Sequence, residues 1–108
     1  MAEFIFGRED DGARHGRFLV SVAGYEGEAE ITYTHRGPNR ISADHTGSPE
    51  SLRGTGAAAA LVAHMIELAR SEGFTIIPYC PYVRAQYLRH PDWQDVMTVA
   101  PGVDPAAA

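Results

Sequence analysis

A single cysteine, Cys80, in 108 residues excludes an internal disulfide and a multi-thiolate zinc site. No two histidines stand at metal-ligand spacing, so no metal is expected. No apolar run approaches the ~18 residues that span a bilayer. The start, "MAEFIFGRED", is acidic and lacks the apolar centre of a signal peptide. A membrane is therefore not an expected partner, and a reducing, cytoplasmic compartment is. Positive charge is short as well. The formal net charge of −5 argues against a general nucleic-acid binder, which needs basic groups to displace counterions from phosphates.

What remains is an ordinary globular composition, 44% hydrophobic, with length for one core. Residues 1–100 read as a single domain, and 101–108 as a flexible tail expected to fray. The first half is β-patterned. "GRFLVSVAG" places Phe18, Val20 and Val22 on one alternating face, and "GEAEITYTHRG" does the same with Ala29, Ile31 and Tyr33. "GYEG" is a hairpin-type turn between them, and "RISADHT" (40–46) is a third strand. No element is assigned to the first ten residues.

A helix follows, with Leu61, Met65 and Leu68 joined by Ala58, Val62 and Ile66 on one broad apolar face. His64, Glu67 and Ser71 lie opposite. Gly73 is placed as its left-handed cap. "FTIIPY" (74–79) reads as a buried strand, and "YVRAQYLRH" (82–90) as a short helix held between Pro81 and Pro91. Antiparallel strands followed by strand–helix–strand–helix predict a mixed α/β fold, with a parallel pair across the long helix.

That helix opens on "RGTGAA" (53–58), although glycine costs roughly 1 kcal/mol per helical position relative to alanine. A helix start carries unpaired N–H groups and partial positive charge. Small residues clear the approach of an anion, so the loop suits a phosphate or pyrophosphate, with Arg53 beside it. A turn that needs glycine for positive φ explains the same residues. A nucleotide-hydrolase loop is excluded because no lysine follows Gly56. Gly54, Gly56 and Ala59 fit the dinucleotide pattern G-x-G-x-x-[GA]. That reading requires an acidic residue at the end of the next strand, and "IIPYCPY" has none.

Four motifs carry a resemblance. They are His45-Thr46 with Pro49, Leu52-Arg53-Gly54-Thr55-Gly56, Pro78-Tyr79-Cys80-Pro81-Tyr82-Val83 and His90-Pro91-Asp92-Trp93. In this order, over residues 41–96, the chain resembles small single-domain members of the GNAT superfamily of N-acetyltransferases. The resemblance implies a GNAT-like central mixed sheet and acetyl-CoA as cosubstrate. Backbone N–H groups of Leu52, Arg53, Gly54, Thr55, Gly56, Ala57 and Ala58 would hold the pyrophosphate of coenzyme A, and the Ser48 backbone its pantetheine arm. That subgroup follows "HT" with an acidic residue and then valine, where this chain has Gly47 and Ser48.

Cys80 sits where it would cap the second helix, a position that stabilises a thiolate. Packing in the core is the other reading of a lone cysteine. The resemblance places it beside the acetyl group, as cofactor contact and as nucleophile or base. It also implies Tyr87 as the acid that protonates the departing thiolate, and packing against the sheet is the alternative. His45 is a candidate base or loop-orienting residue. His15, His35 and His64 read as surface residues, His90 as the helix end and Trp93 as an anchor for the C-terminus.

The leading expectation is an acetyl-CoA-dependent transferase acting on an unidentified amine, a lysine, an N-terminus or a metabolite. A coenzyme A or acyl-CoA binding module without turnover is the second. A thiol hydrolase pairing Cys80 with His45 or His90 is the third. The chain is expected to be a monomer or weak homodimer.

Overall fold

The alternating runs of the sequence become neighbours in one sheet. In the computed structural model, which describes residues 3–107, five strands lie side by side in chain order. They are β1 (Phe4–Asp10), β2 (His15–Val22), β3 (Glu28–Gly37), β4 (Arg40–Gly47) and β5 (Thr75–Pro78). Phe18 pairs with Ile31 and Val20 with Ala29, so the two apolar sets share one face. The long helix α1 (Ala57–Glu72) covers that face with Leu61, Val62, Met65, Ile66 and Ala69, all buried. Gly73 ends it at φ 79, as its position in the sequence predicts.

β4 and β5 run parallel across α1, as expected, and β1 to β4 are antiparallel. After β5, Pro81–Arg89 forms α2, which buries Val83 and Tyr87. A 3-10 turn at Pro91–Asp95 then tucks Trp93 into the core, and Met97 bridges back to Ile76. Trp93 is thus the anchor its position suggested, with the His90 ring stacked on it 4.4 Å away. Beyond it, Asp104 Oδ1 stands 3.6 Å from Arg84 Nη1, and Val103 and Ala107 close backbone turns.

Two expectations change. β1 carries no apolar alternation, because it is an edge strand with Phe4 half-buried and the next six residues exposed. It is held instead by its ladder to β2 and by two ties to α1. Arg8 makes a two-pronged pair with Glu72, both bonds 2.8 Å, and Phe6 stacks on His64 at 4.1 Å. His64 is therefore a half-buried packing residue and not a free surface group. Desolvation, with the Arg8 charge adding to it, holds its pKa below the usual imidazole value.

Candidate functional site

β4 outruns its neighbour. The β4–β5 ladder ends with Ala43 opposite Pro78, yet β4 continues to Gly47, leaving residues 44–47 without a strand partner on that side. Just there a bulge interrupts the β3 pairing. Tyr33 faces Ala43 and Thr32 faces His45, so Asp44 is the extra residue. Asp44 accepts from Thr34 Oγ1 at 2.6 Å and from Ser42 Oγ at 2.7 Å. The two strands therefore splay at one end of the sheet.

The glycine loop enters α1 beside that splay. A 3-10 turn (Glu50–Leu52) precedes it, braced by Ser51 Oγ donating to the Glu26 carbonyl in the β2–β3 hairpin. Gly54 lies at φ 80 and Gly56 at φ 78, a region costing other residues about 1 kcal/mol or more. A Cβ on either would meet only open space. The turn thus needs glycine for its φ, and the side it leaves bare is the approach to the helix start.

Thr55, between the glycines, turns its hydroxyl inward. Its Oγ1 donates to the Leu52 carbonyl at 2.6 Å and accepts from the Ala57 amide at 3.2 Å. The amides of Gly56, Ala58 and Ala59 find no partner among the described residues. The Arg53 side chain is 80% exposed, its Nη1 3.5 Å from Glu50 Oε1. Leu52, by contrast, is a core residue at 2% exposure. Its side chain faces inward, and its carbonyl is taken by Thr55.

Cys80 completes the geometry. It is the N-cap of α2, with Pro81 at the first helical position, and its amide donates to the Ala43 carbonyl at 2.8 Å. Its side chain does not cap the helix. The sulfur points across the splay to Thr46 Oγ1, 3.2 Å away, and is 3% exposed.

A family model described as GCN5-related N-acetyl-transferase matches residues 17–96. This span takes in most of β2, all of β3 to β5, the glycine loop, both helices and Cys80. The chain belongs to the GCN5-related N-acetyltransferases. No curated protein matches it significantly.

Within this N-acetyltransferase domain the remaining candidates are spread unevenly. Ser48 is exposed just past the end of β4. His45 is exposed on β4, and its carbonyl accepts a 3.4 Å bond from Thr32. Tyr87 is 1% exposed, and its hydroxyl donates to the Val99 carbonyl at 2.7 Å. Burial raises its pKa above the ordinary phenol value. The structure therefore gives that proton a backbone acceptor, and a role as acid requires breaking this bond.

Three features escaped the sequence. Thr46 is a hydrogen-bonding neighbour of the thiol, which only the β4–α2 packing brings together. The Ala59 amide joins the open set at the helix start, whereas those of Leu52, Arg53, Thr55 and Ala57 are already taken within the loop. Glu30, on β3, pairs directly with Gly47. A Cβ on Gly47 would lie 3.9 Å from Glu30 Oε2 and 3.6 Å from His45 Cε1. A carboxylate thus stands beside Gly47, steadied by Arg17 at 2.7 Å. Among the described residues no three metal-ligating side chains cluster. No helix there is long and apolar enough to cross a membrane.

Proposed function

We propose that this domain transfers the acetyl group of acetyl-CoA to an amine. One observation carries the reading: the open amides of Gly56, Ala58 and Ala59 stand at a helix N-terminus, cleared of side chains, beside a strand splay that holds a thiol. Such amides and the helix dipole favour an anionic group, and exposed Arg53 can swing onto a pyrophosphate. The residues present therefore fit coenzyme A. The thiol and its Thr46 partner lie where the loop gives way to the splay, suiting them to the thioester end.

In this reading the amine nitrogen forms a bond to the acetyl carbon as the carbon–sulfur bond breaks. The thiolate leaves with coenzyme A, and the amine proton passes to a base. Glu30 is the carboxylate we assign to that acceptor side, with His45 next to it. A route through Cys80 is the alternative: its sulfur bonds the acetyl carbon as coenzyme A leaves as the thiol with the Cys80 proton, and the amine then displaces the Cys80 sulfur. The 108-residue sequence contains no lysine. Acetyl label that survives denaturation but is released by hydroxylamine would therefore report a thioester at Cys80.

A coenzyme A binding module without turnover is the second reading. The Tyr87 hydroxyl, committed to the Val99 carbonyl, and the burial of Cys80 favour it. Calorimetry with acetyl-CoA and with free coenzyme A, beside Gly56→Glu, tests the common premise. Binding lost in the variant supports both readings, and no binding by the wild type overturns both. Coenzyme A thiol release that depends on added amine then separates catalyst from binder. Release without amine would point to the thiol hydrolase.

A further inference from the structure

At the end of the sheet away from the glycine loop, a cleft of about 410 Å³ opens between the end of β1, the start of β4 and the last turn of α1. The length of α1, roughly 24 Å by its rise per residue, separates the two places. The floor is apolar: Phe18 and Ile41, both buried, and half-buried Phe74.

One wall is a preformed cluster. Tyr33 donates its hydroxyl to Asp10 Oδ2 at 2.6 Å, His35 Nε2 meets the same oxygen at 2.7 Å, and the Gly12 amide donates to Oδ1 at 2.8 Å. Gly16 makes room for it, since a Cβ there would collide with the Tyr33 phenol. The facing wall is the two-pronged Arg8–Glu72 pair.

With His35 neutral, Arg8 and Arg40 balance Asp10 and Glu72 in number, but they are unevenly paired. Asp10 is met by three donors and Glu72 by both Arg8 nitrogens. Arg40, at the lip, has no acidic partner within 4 Å among the described residues, and the neighbouring Asn39 amide has no hydrogen bond there either. An uncompensated guanidinium above an apolar floor matches a carboxylate, whose two oxygens fit its planar fork. A hydrocarbon body would lie on Phe74, the one of the three floor residues that the fold leaves half-exposed. A phosphate dianion would bring a second negative charge between Asp10 and Glu72, and it has no apolar part for the floor.

We propose that this cleft is a second ligand site, distinct from the coenzyme A loop, that takes a small organic carboxylate with a flat or branched apolar body. The occupant touches β1, β3, β4 and the end of α1, so it ties the edge strand to the rest of the fold and stabilises it by mass action.

The test is an amide-resolved NMR titration of the full chain with benzoate, phenylacetate and isovalerate. The corresponding neutral amides and inorganic phosphate are run beside them. At least one acid is expected to shift Arg40, Ile41 and Phe74 saturably while residues 53–59 stay still. Its neutral amide and the Arg40→Gln variant should bind about tenfold more weakly or worse, the loss expected for a charged hydrogen bond. Arg40 is exposed, so that variant keeps the wild-type spectrum elsewhere. The proposal is overturned by saturation with none of the acids, by equal binding of the amides or of phosphate, by unchanged affinity in Arg40→Gln, or by shifts confined to 53–59.

Discussion

The Sγ of Cys80 and the Oγ1 of Thr46 lie 3.2 Å apart, joining the start of α2 to the unpaired end of β4. Thirty-four positions separate them in the chain, and they meet because the Cys80 amide continues the β4–β5 ladder by one bond to Ala43. The thiol is therefore held at the mouth of the splay and turned away from the helix it caps. Whether it reacts or only packs is the sharpest question the site poses.

Cys80→Ala answers it. A thiol that carries acetyl or proton should cost about a hundredfold or more in turnover when removed, the usual range for a positioned acid or base. Affinity for acetyl-CoA should stay within about twofold, because the loop amides are untouched. Initial rates and calorimetry on the same preparation give both numbers. Unchanged turnover would assign Cys80 to packing alone.

Gly56→Ala and Gly56→Glu separate strain from obstruction. Both place a Cβ at φ 78 and should destabilise the fold by about 1 kcal/mol, read by denaturant melts. Only the glutamate puts a carboxylate in front of the open amides. Coenzyme A binding should survive in the alanine variant and vanish in the other. If alanine abolishes it equally, turn geometry and not access governs the site.

Tyr87→Phe removes the donor to Val99. The orphaned carbonyl should lower stability by about 1 kcal/mol, visible as a drop in Tm. With that bond as the tyrosine's role, the pH–rate profile keeps its shape. Loss of its alkaline limb would restore Tyr87 as the acid of the reaction.

Glu30→Gln keeps the shape of the side chain and its oxygen toward Arg17, yet removes the charge beside Gly47. Turnover should fall about tenfold or more at neutral pH, the lower end of what a general base contributes. Acetyl-CoA affinity should not move. A rise in the Michaelis constant for amine with unchanged turnover would make Glu30 an anchor instead of a base.

Acid stability depends on Asp10. The Tyr33 hydroxyl first, then the Gly12 amide and His35, hold its pKa at about 2, below the ordinary 3.8. Stability from this carboxylate is fully present above pH 3.8 and is lost as pH falls through about 2. Asp10→Asn should flatten that part of the stability curve, measured by urea melts at a series of pH values. An unchanged curve would move the acid sensitivity to Glu72, whose pKa Arg8 also lowers.

The sequence by itself determined the elements whose burial repeats with their own period. Val20 and Val22 alternate, Leu61, Val62, Met65 and Ile66 recur every three to four residues, and glycine or proline marks their ends. Such patterns are local, and they reached as far as the cap at Gly73 and the N-cap at Cys80. The small residues of 53–58 likewise announced an open helix start. What lies between distant segments was decided only by the tertiary structure. β1 has no buried face to betray it and exists because β2 offers a ladder and α1 offers Glu72 and His64. Thr46 meets Cys80 where α2 packs on β4, Glu30 faces Gly47 across the β3–β4 pairing, and Asp10 reaches over β2 to Tyr33 and His35. Register and packing set these contacts, and a register is a relation between two strands that neither one encodes alone.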